Sequence, residues 1–179
     1  MRIKDKHNNR LTLKDKLGST ISITGEVDRL GVKPTGKNPK KHALSLTPTI
    51  CIKNIRDMSG NLVIDHAWLT YSRVFGKLGE LKRGDYIAFD AKVKQYRKGH
   101  FKGEVDYTIA SPKHVKLLTK HRFIPVPLTK KELIGYVIIK LHSNDDQPIS
   151  ETYTDAYKQW VQEQYKKMVN SYANEGLVG

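Results

Sequence analysis

Leu81-Lys82-Arg83-Gly84-Asp85-Tyr86-Ile87-Ala88-Phe89-Asp90-Ala91-Lys92-Val93 is the stretch whose reading decides the fold. It opens as a turn, because Gly84 tolerates positive φ and Asp85 can accept hydrogen bonds from its own backbone. It then alternates without a slip. Ile87, Phe89, Ala91 and Val93 fall on one face, and Tyr86, Ala88, Asp90, Lys92, Lys94 and Tyr96 on the other. A period of two with one apolar face marks a half-buried strand. The stretch is therefore a strand entered through a tight turn, with one face in a core and a basic, tyrosine-bearing face outward.

Upstream, Ile21, Ile23, Gly25 and Val27 alternate with Ser22, Thr24, Glu26 and Asp28, a first strand that continues toward Val32. Its internal glycine predicts a bulge, where a strand bends sharply enough to serve two parts of a curved sheet. Residues 34–42 then read Pro-Thr-Gly-Lys-Asn-Pro-Lys-Lys-His. Two prolines and a glycine forbid a continuous strand, so a cationic loop carrying Lys37, Lys40, Lys41 and His42 is expected. Two β-rich runs follow over residues 49–56 and 62–71, and Asp57-Met58-Ser59-Gly60-Asn61 between them is a hairpin signal. The second run alternates less cleanly and leaves open which face carries Trp68. Residues 73–79 suit one helical turn capping the sheet, with Val74, Phe75 and Leu78 inward. Beyond the opening strand, residues 97–103 make a second glycine-rich cationic loop. Val105, Tyr107 and Ile109 then mark a fifth strand, which Pro112 breaks and Val115, Leu117 and Leu118 resume.

Five strands in this order, the first bulged, with a helical turn between the third and fourth and basic loops after the first and fourth, resemble the OB-fold. That small Greek-key barrel takes oligonucleotides and oligosaccharides across its second and third strands. The resemblance covers roughly residues 19 to 119. Its most specific piece is Leu81-x-x-Gly84-Asp85-x-Ile87-x-Phe89-x-Ala91-x-Val93, which is similar to the entry into the fourth strand of many OB-fold nucleic-acid binders. It implies a mainly β protein, a five-stranded OB-fold-like Greek-key barrel over residues 19–122. Residues 1–18, with six basic and two acidic residues, read as a basic N-terminal arm, or as a short edge strand that orders on something else.

Beyond residue 122 the pattern changes. Phe123-Ile124-Pro125-Val126-Pro127 reads as an extended proline linker, and Thr129-Lys130-Lys131-Glu132 has capping-box spacing ahead of Leu133, Ile134, Val137, Ile138 and Leu141. A helix is expected there, although Val137, Ile138 and Ile139 also suit a strand. After a loop at residues 143–148, Tyr157, Trp160, Val161, Gln164, Tyr165, Met168 and Tyr172 keep helical spacing up to a stop at Gly176. Residues 123–179 are thus a proline linker and a C-terminal α-helical extension of two helices. Two helices with one apolar face each must pack on the barrel, on each other or on a partner.

The totals narrow the function classes. A chain of 179 residues, 38% hydrophobic and 28% charged, is long enough to bury a core. No apolar run approaches a membrane span and the N-terminus lacks the apolar segment of a signal peptide, so a cytoplasmic protein with no membrane partner is expected. The single Cys51 excludes an intramolecular disulfide and the zinc sites that need several cysteines. In Ile50-Cys51-Ile52 it reads as a small strand residue. The formal net charge is +14, and residues 1–125 hold 26 Lys and Arg against 11 Asp and Glu, a net of +15. Charge of this sign and placement implies a polyanionic partner, nucleic acid before membrane.

Seven histidines raise the question of catalysis. Asp65 and His66 are neighbours in a strand, where side chains point to opposite faces and do not naturally pair. No zinc-deaminase, metalloprotease, nucleophile-elbow or phosphate-loop string is present, and the carboxylates of the basic region are scattered. No catalytic residue, metal or cofactor is therefore expected. Single-strand binders instead combine a cationic groove with aromatic faces on which bases stack. The candidate stackers are Trp68, Tyr71, Tyr96, Phe101 and Tyr107, of which Trp68 and Tyr107 would be equally explained by core packing. The candidate phosphate contacts are Lys33, Lys37, Lys40, Lys41, Lys53, Arg56, Lys92, Lys94, Arg97, Lys98 and Lys102. Tyr157, Trp160, Tyr165 and Tyr172 form a separate aromatic stripe, suited to docking on the domain itself or to an interface with a partner protein.

The reading that results is a protein that binds single-stranded DNA or RNA, or structured nucleic acid, without chemistry of its own. An alternative of a different class is an interaction protein that inhibits a nucleic-acid-dependent nuclease, as small anti-defence (anti-CRISPR-like) proteins of phages and mobile elements do. Its partner would then be a nucleic-acid-processing complex. A third is a histidine-based nuclease.

Overall fold

The Asp85 carboxylate accepts the backbone N–H of Lys82 at 2.8 Å, and Gly84 beside it has φ of +91°, so the turn ahead of the deciding strand closes as its residues dictate. A computed structural model describes residues 9–37, 44–98, 103–141 and 151–175. In it the turn leads into β4 (Tyr86–Lys98), whose Ile87, Phe89, Ala91 and Val93 are all buried while Tyr86, Lys92, Lys94 and Tyr96 face outward. The other strands are β1 (Thr20–Lys37), β2 (Leu44–Asp57), β3 (Leu62–Thr70) and β5 (Glu104–Leu117).

All pairings are antiparallel, in the order β3-β2-β1-β4-β5. β1 is the shared member. It pairs with β4 from Thr20 to Glu26 and with β2 from Ile23 to Lys37, and its ladder with β2 slips between Thr24 and Glu26, at Gly25. The expected bulge is there. The edge strands β3 and β5 lie against each other without a hydrogen-bonded ladder between them, so the sheet is not closed.

Two expectations need correction. The first is that Pro34 ends the first strand. β1 runs on to Lys37 with Pro34 opposite Leu46, and β2 begins at Leu44. On the β4 side the bonds of β1 end at Val27, whose N–H donates to the Asp85 carbonyl and whose carbonyl accepts the Gly84 N–H, so a residue without an N–H at position 34 removes no bond from that side. The second is the break at Pro112. β5 continues through it, and the irregularity is taken up by slips opposite Asp90 and by Ser111 and His114 at φ of 53° and 50°. The tips of the two cationic loops (residues 38–43 and 99–102), the loop at 143–148 and Gly176 lie outside the described residues.

The second half of the N-terminal arm is a packed element. Asn9–Lys16 is a 3-10 helix with Leu13 wholly buried in the core, seated against both β3 and β5. The one-turn helix α1 (Arg73–Gly76) buries Phe75. The helix α2 (Lys130–Leu141) buries Leu133, Ile134, Tyr136, Val137 and Ile138 between the β1–β2 side of the sheet and the long helix α3 (Glu151–Glu175). Thr129 donates to the Glu132 carboxylate at 2.6 Å, at the helix start that the capping spacing predicts. On α3, Tyr157 meets Tyr136 edge-on at 5.6 Å and stacks on Trp160 at 5.9 Å. Farther along, Val161, Tyr165, Met168 and Tyr172 are exposed. No helix among the described residues is long and apolar enough to cross a membrane.

Candidate functional site

The outer surface of β1, β2 and β3 is organised by two cross-strand rows, Arg29–Cys51–Trp68 and Gly31–Thr49–Thr70. The Trp68 indole reaches across from the first row into the second. A Cβ at Gly31 would stand 3.0 Å from Trp68 Cζ3 and 2.9 Å from Thr49 Oγ1, so glycine is what lets the ring lie down on β1. Arg29 holds its guanidinium 5.7 Å from the ring centroid. Cys51 is buried in this layer, and burial raises its thiol pKa, which keeps it protonated and unreactive. The ring itself stays 46% exposed.

Trp68 borders a groove of about 470 Å³ that opens between the end of β3 and the middle of β5. Its lining includes Lys33, Thr70, Ser72, Lys94, Thr108 and Ser111. Lys33, Thr70 and Ser72 also line a second pocket of about 450 Å³, which continues the groove to Arg73, Leu128 and the start of α2 at Lys130 and Leu133. The described lining of both contains no carboxylate. Lys33, Arg73, Lys94 and Lys130 have no ion-pair partner among the described residues. Four unpaired cations and a half-exposed indole can hold phosphates and stack a base.

The candidates named from sequence divide sharply. Trp68, Lys33 and Lys94 come together at the groove, and Lys92 shares the outward face of β4. Tyr71 cannot stack a base, since it is 1% exposed, sits beside Phe75 in the core and has its hydroxyl pKa raised by burial, although it forms part of the wall of the second pocket. Tyr107 is buried too. Lys53 is taken by Glu26 at 3.0 Å, its opposite number across the β1–β2 ladder, and Arg56 donates to the Gly60 carbonyl within its own hairpin. Tyr96 stands on the same face as Lys92 and Lys94, as alternation predicts, but its hydroxyl donates to Asp106 at 3.0 Å. Its pKa is raised by burial and then by that bond. Arg97 is exposed near the end of β4. The side chains of Lys37 and Lys98 are not among those described, and Lys40, Lys41, Phe101 and Lys102 lie outside the described residues. On α3, Tyr157 and Trp160 pack inward while Tyr165 and Tyr172 are exposed.

Asp65 and His66, expected not to pair, do so at 2.9 Å. The alternation of β3 lapses at these residues, leaving both exposed on consecutive positions. Asp65 also faces Arg10 at 3.5 Å, and among the described residues no three of His, Cys, Asp and Glu converge. Arg73, Lys130 and Ser72 escaped the sequence reading. Each is a lone polar residue beside a helix start, and only the fold brings it to Lys33. No family model, curated protein or solved structure matches the chain.

Proposed function

We propose that this protein binds single-stranded nucleic acid along the groove, on an OB-fold-like frame and without chemistry of its own. One observation carries the reading: the half-exposed Trp68 ring shares a groove with Lys33 and Lys94, which have no ion-pair partner among the described residues, and the groove's described lining has no acidic residue. Cations that follow a backbone beside a ring that stacks a base are the parts single-strand binding requires. The net charge of +14 supplies long-range attraction to such a strand. The frame is supported by the order β3-β2-β1-β4-β5 with an unbonded β3–β5 seam, which a partly open five-stranded Greek-key barrel would also have.

Titrating an unstructured oligonucleotide into a Trp160→Phe protein should change the fluorescence of the remaining Trp68. Trp68→Ala should lose about 1 to 3 kcal/mol of binding. An unchanged spectrum with undiminished binding by Trp68→Ala would contradict the placement of the strand. A second reading, an interaction protein directed at a nucleic-acid-dependent nuclease, is favoured by the exposed stripe Val161, Tyr165, Met168 and Tyr172 on α3. Replacing Tyr165 and Tyr172 with Ser should leave strand binding intact under the first reading and abolish inhibition of the nuclease under the second.

A further inference from the structure

We infer that the pocket between β1, β3 and the start of α2 holds the terminal phosphate of the bound strand, so that the protein prefers a phosphorylated end. This rests on the strand-binding reading and assigns the place of the strand's end in that site. The groove beside Trp68 runs into the pocket through Lys33, Thr70 and Ser72, and there Leu128, just ahead of α2, and the buried Leu133 of α2 close one side.

Lys33, Arg73 and Lys130 are the charged residues of the pocket's described lining, and none has an ion-pair partner among the described residues. A bridging diester carries one negative charge, whereas a terminal monoester carries about 1.5 to 2 near neutral pH and offers three acceptor oxygens. Three cations without a carboxylate suit the monoester. Arg73 adds a planar fork able to take two of its oxygens at once.

The hydroxyls make the same distinction. Thr47 donates to Thr35 at 3.1 Å and Thr35 to the Ser45 carbonyl at 3.0 Å, so both protons are used within the β1–β2 hairpin. Ser72 is different: it stands at the N-cap of α1 yet its side chain makes no capping bond, and Thr70 likewise has no hydroxyl partner among the described residues. Both residues sit where groove and pocket join, free to donate to phosphate oxygens.

The test compares one unlabelled oligonucleotide with a 5′-phosphate, with a 3′-phosphate and with two hydroxyl ends, by calorimetry at fixed salt. One phosphorylated form should bind at least about tenfold tighter than the hydroxyl form, the gain expected of a charge-assisted hydrogen bond. Arg73→Ala and Lys130→Ala should each erase that preference, so that the phosphorylated and hydroxyl forms bind the same variant with affinities within about twofold of each other. Ser72→Ala, a smaller change, should reduce it with an unaltered melting temperature. Inorganic phosphate should compete with the phosphorylated form alone. Equal affinity for all three ends overturns the inference and leaves strand binding standing. Inorganic phosphate binding as tightly as the phosphorylated strand would make the pocket a free-anion site and overturn the inference too. No binding of any form at low salt removes strand binding itself.

Discussion

Arg10 donates from Nη2 to the His66 carbonyl oxygen at 2.7 Å, and from Nη1 it reaches the Tyr107 carbonyl at 3.3 Å. One guanidinium thus joins the facing edges of β3 and β5 where the ladder itself is missing. With its side chain only 14% exposed and Asp65 at 3.5 Å, it takes the place of strand-to-strand hydrogen bonds at one end of the seam. The groove beside Trp68 occupies the other end.

Arg10→Ala should therefore cost roughly 1 to 3 kcal/mol of stability, the range for charge-assisted bonds whose acceptors are left behind. Arg10→Lys should recover only part, because a point charge cannot serve both strands as the fork does. Urea denaturation checks this. An unchanged midpoint for Arg10→Ala would mean that the seam holds without it.

Tyr71→Phe should stabilise the protein by up to about 1 to 3 kcal/mol. The Tyr71 hydroxyl is buried with no hydrogen-bond partner among the described residues, and deleting it removes that desolvation cost while keeping the ring against Phe75. A loss of stability in thermal melts would show that the hydroxyl has a partner in solution.

His121 presents Nδ1 to the Arg122 carbonyl at 3.0 Å and Nε2 to the buried Asp85 carboxylate at 2.9 Å. Two acceptors favour the doubly protonated ring. The Arg122 carbonyl first, and then Asp85, raise its pKa above the ordinary value. The folded state thus holds this proton more tightly than the unfolded chain. The stability gained is fully present below about pH 6.5 and is lost as pH rises through the raised folded value. Thermal melts across this window should fall more for the parent than for His121→Asn. Parallel curves would contradict the assignment.

Gly31→Ala should displace the Trp68 ring without altering any charge. A methyl group there would crowd both the ring and the Thr49 hydroxyl, so the indole must lift off β1. Binding should weaken toward the level of Trp68→Ala, with the same dependence on salt. Full affinity in Gly31→Ala would show that the ring's seat on β1 is not what positions the strand.

How much of this was legible depended on where the pattern stayed in phase. In β4 every inward residue could be named from sequence, because the alternation from Ile87 to Val93 is unbroken. In β3 the phase slips: the ladder with β2 is irregular between Ile55 and Arg56, and Asp65 and His66 face outward in succession. Ala67, Leu69 and Tyr71 resume a common inward parity, which is why Tyr71 is core and Trp68 is not. The neutralisation of Lys53 was beyond reading, since it depends on a register that sets Glu26 opposite. Arg73 and Lys130 are single cations far apart in the chain, and nothing local marks them as neighbours of Lys33.

The measurement that tests the central claim most directly is the salt dependence of affinity for an unstructured oligonucleotide, in the parent and in a Lys33→Gln, Lys94→Gln protein. For the parent, log K against log salt should fall with a slope of about −0.7 per phosphate neutralised, so four groove cations predict a slope steeper than about −2. The double variant should flatten that slope by about one to two units, roughly one for each contact that is real. A salt-independent affinity, or the same slope in both proteins, would contradict the account.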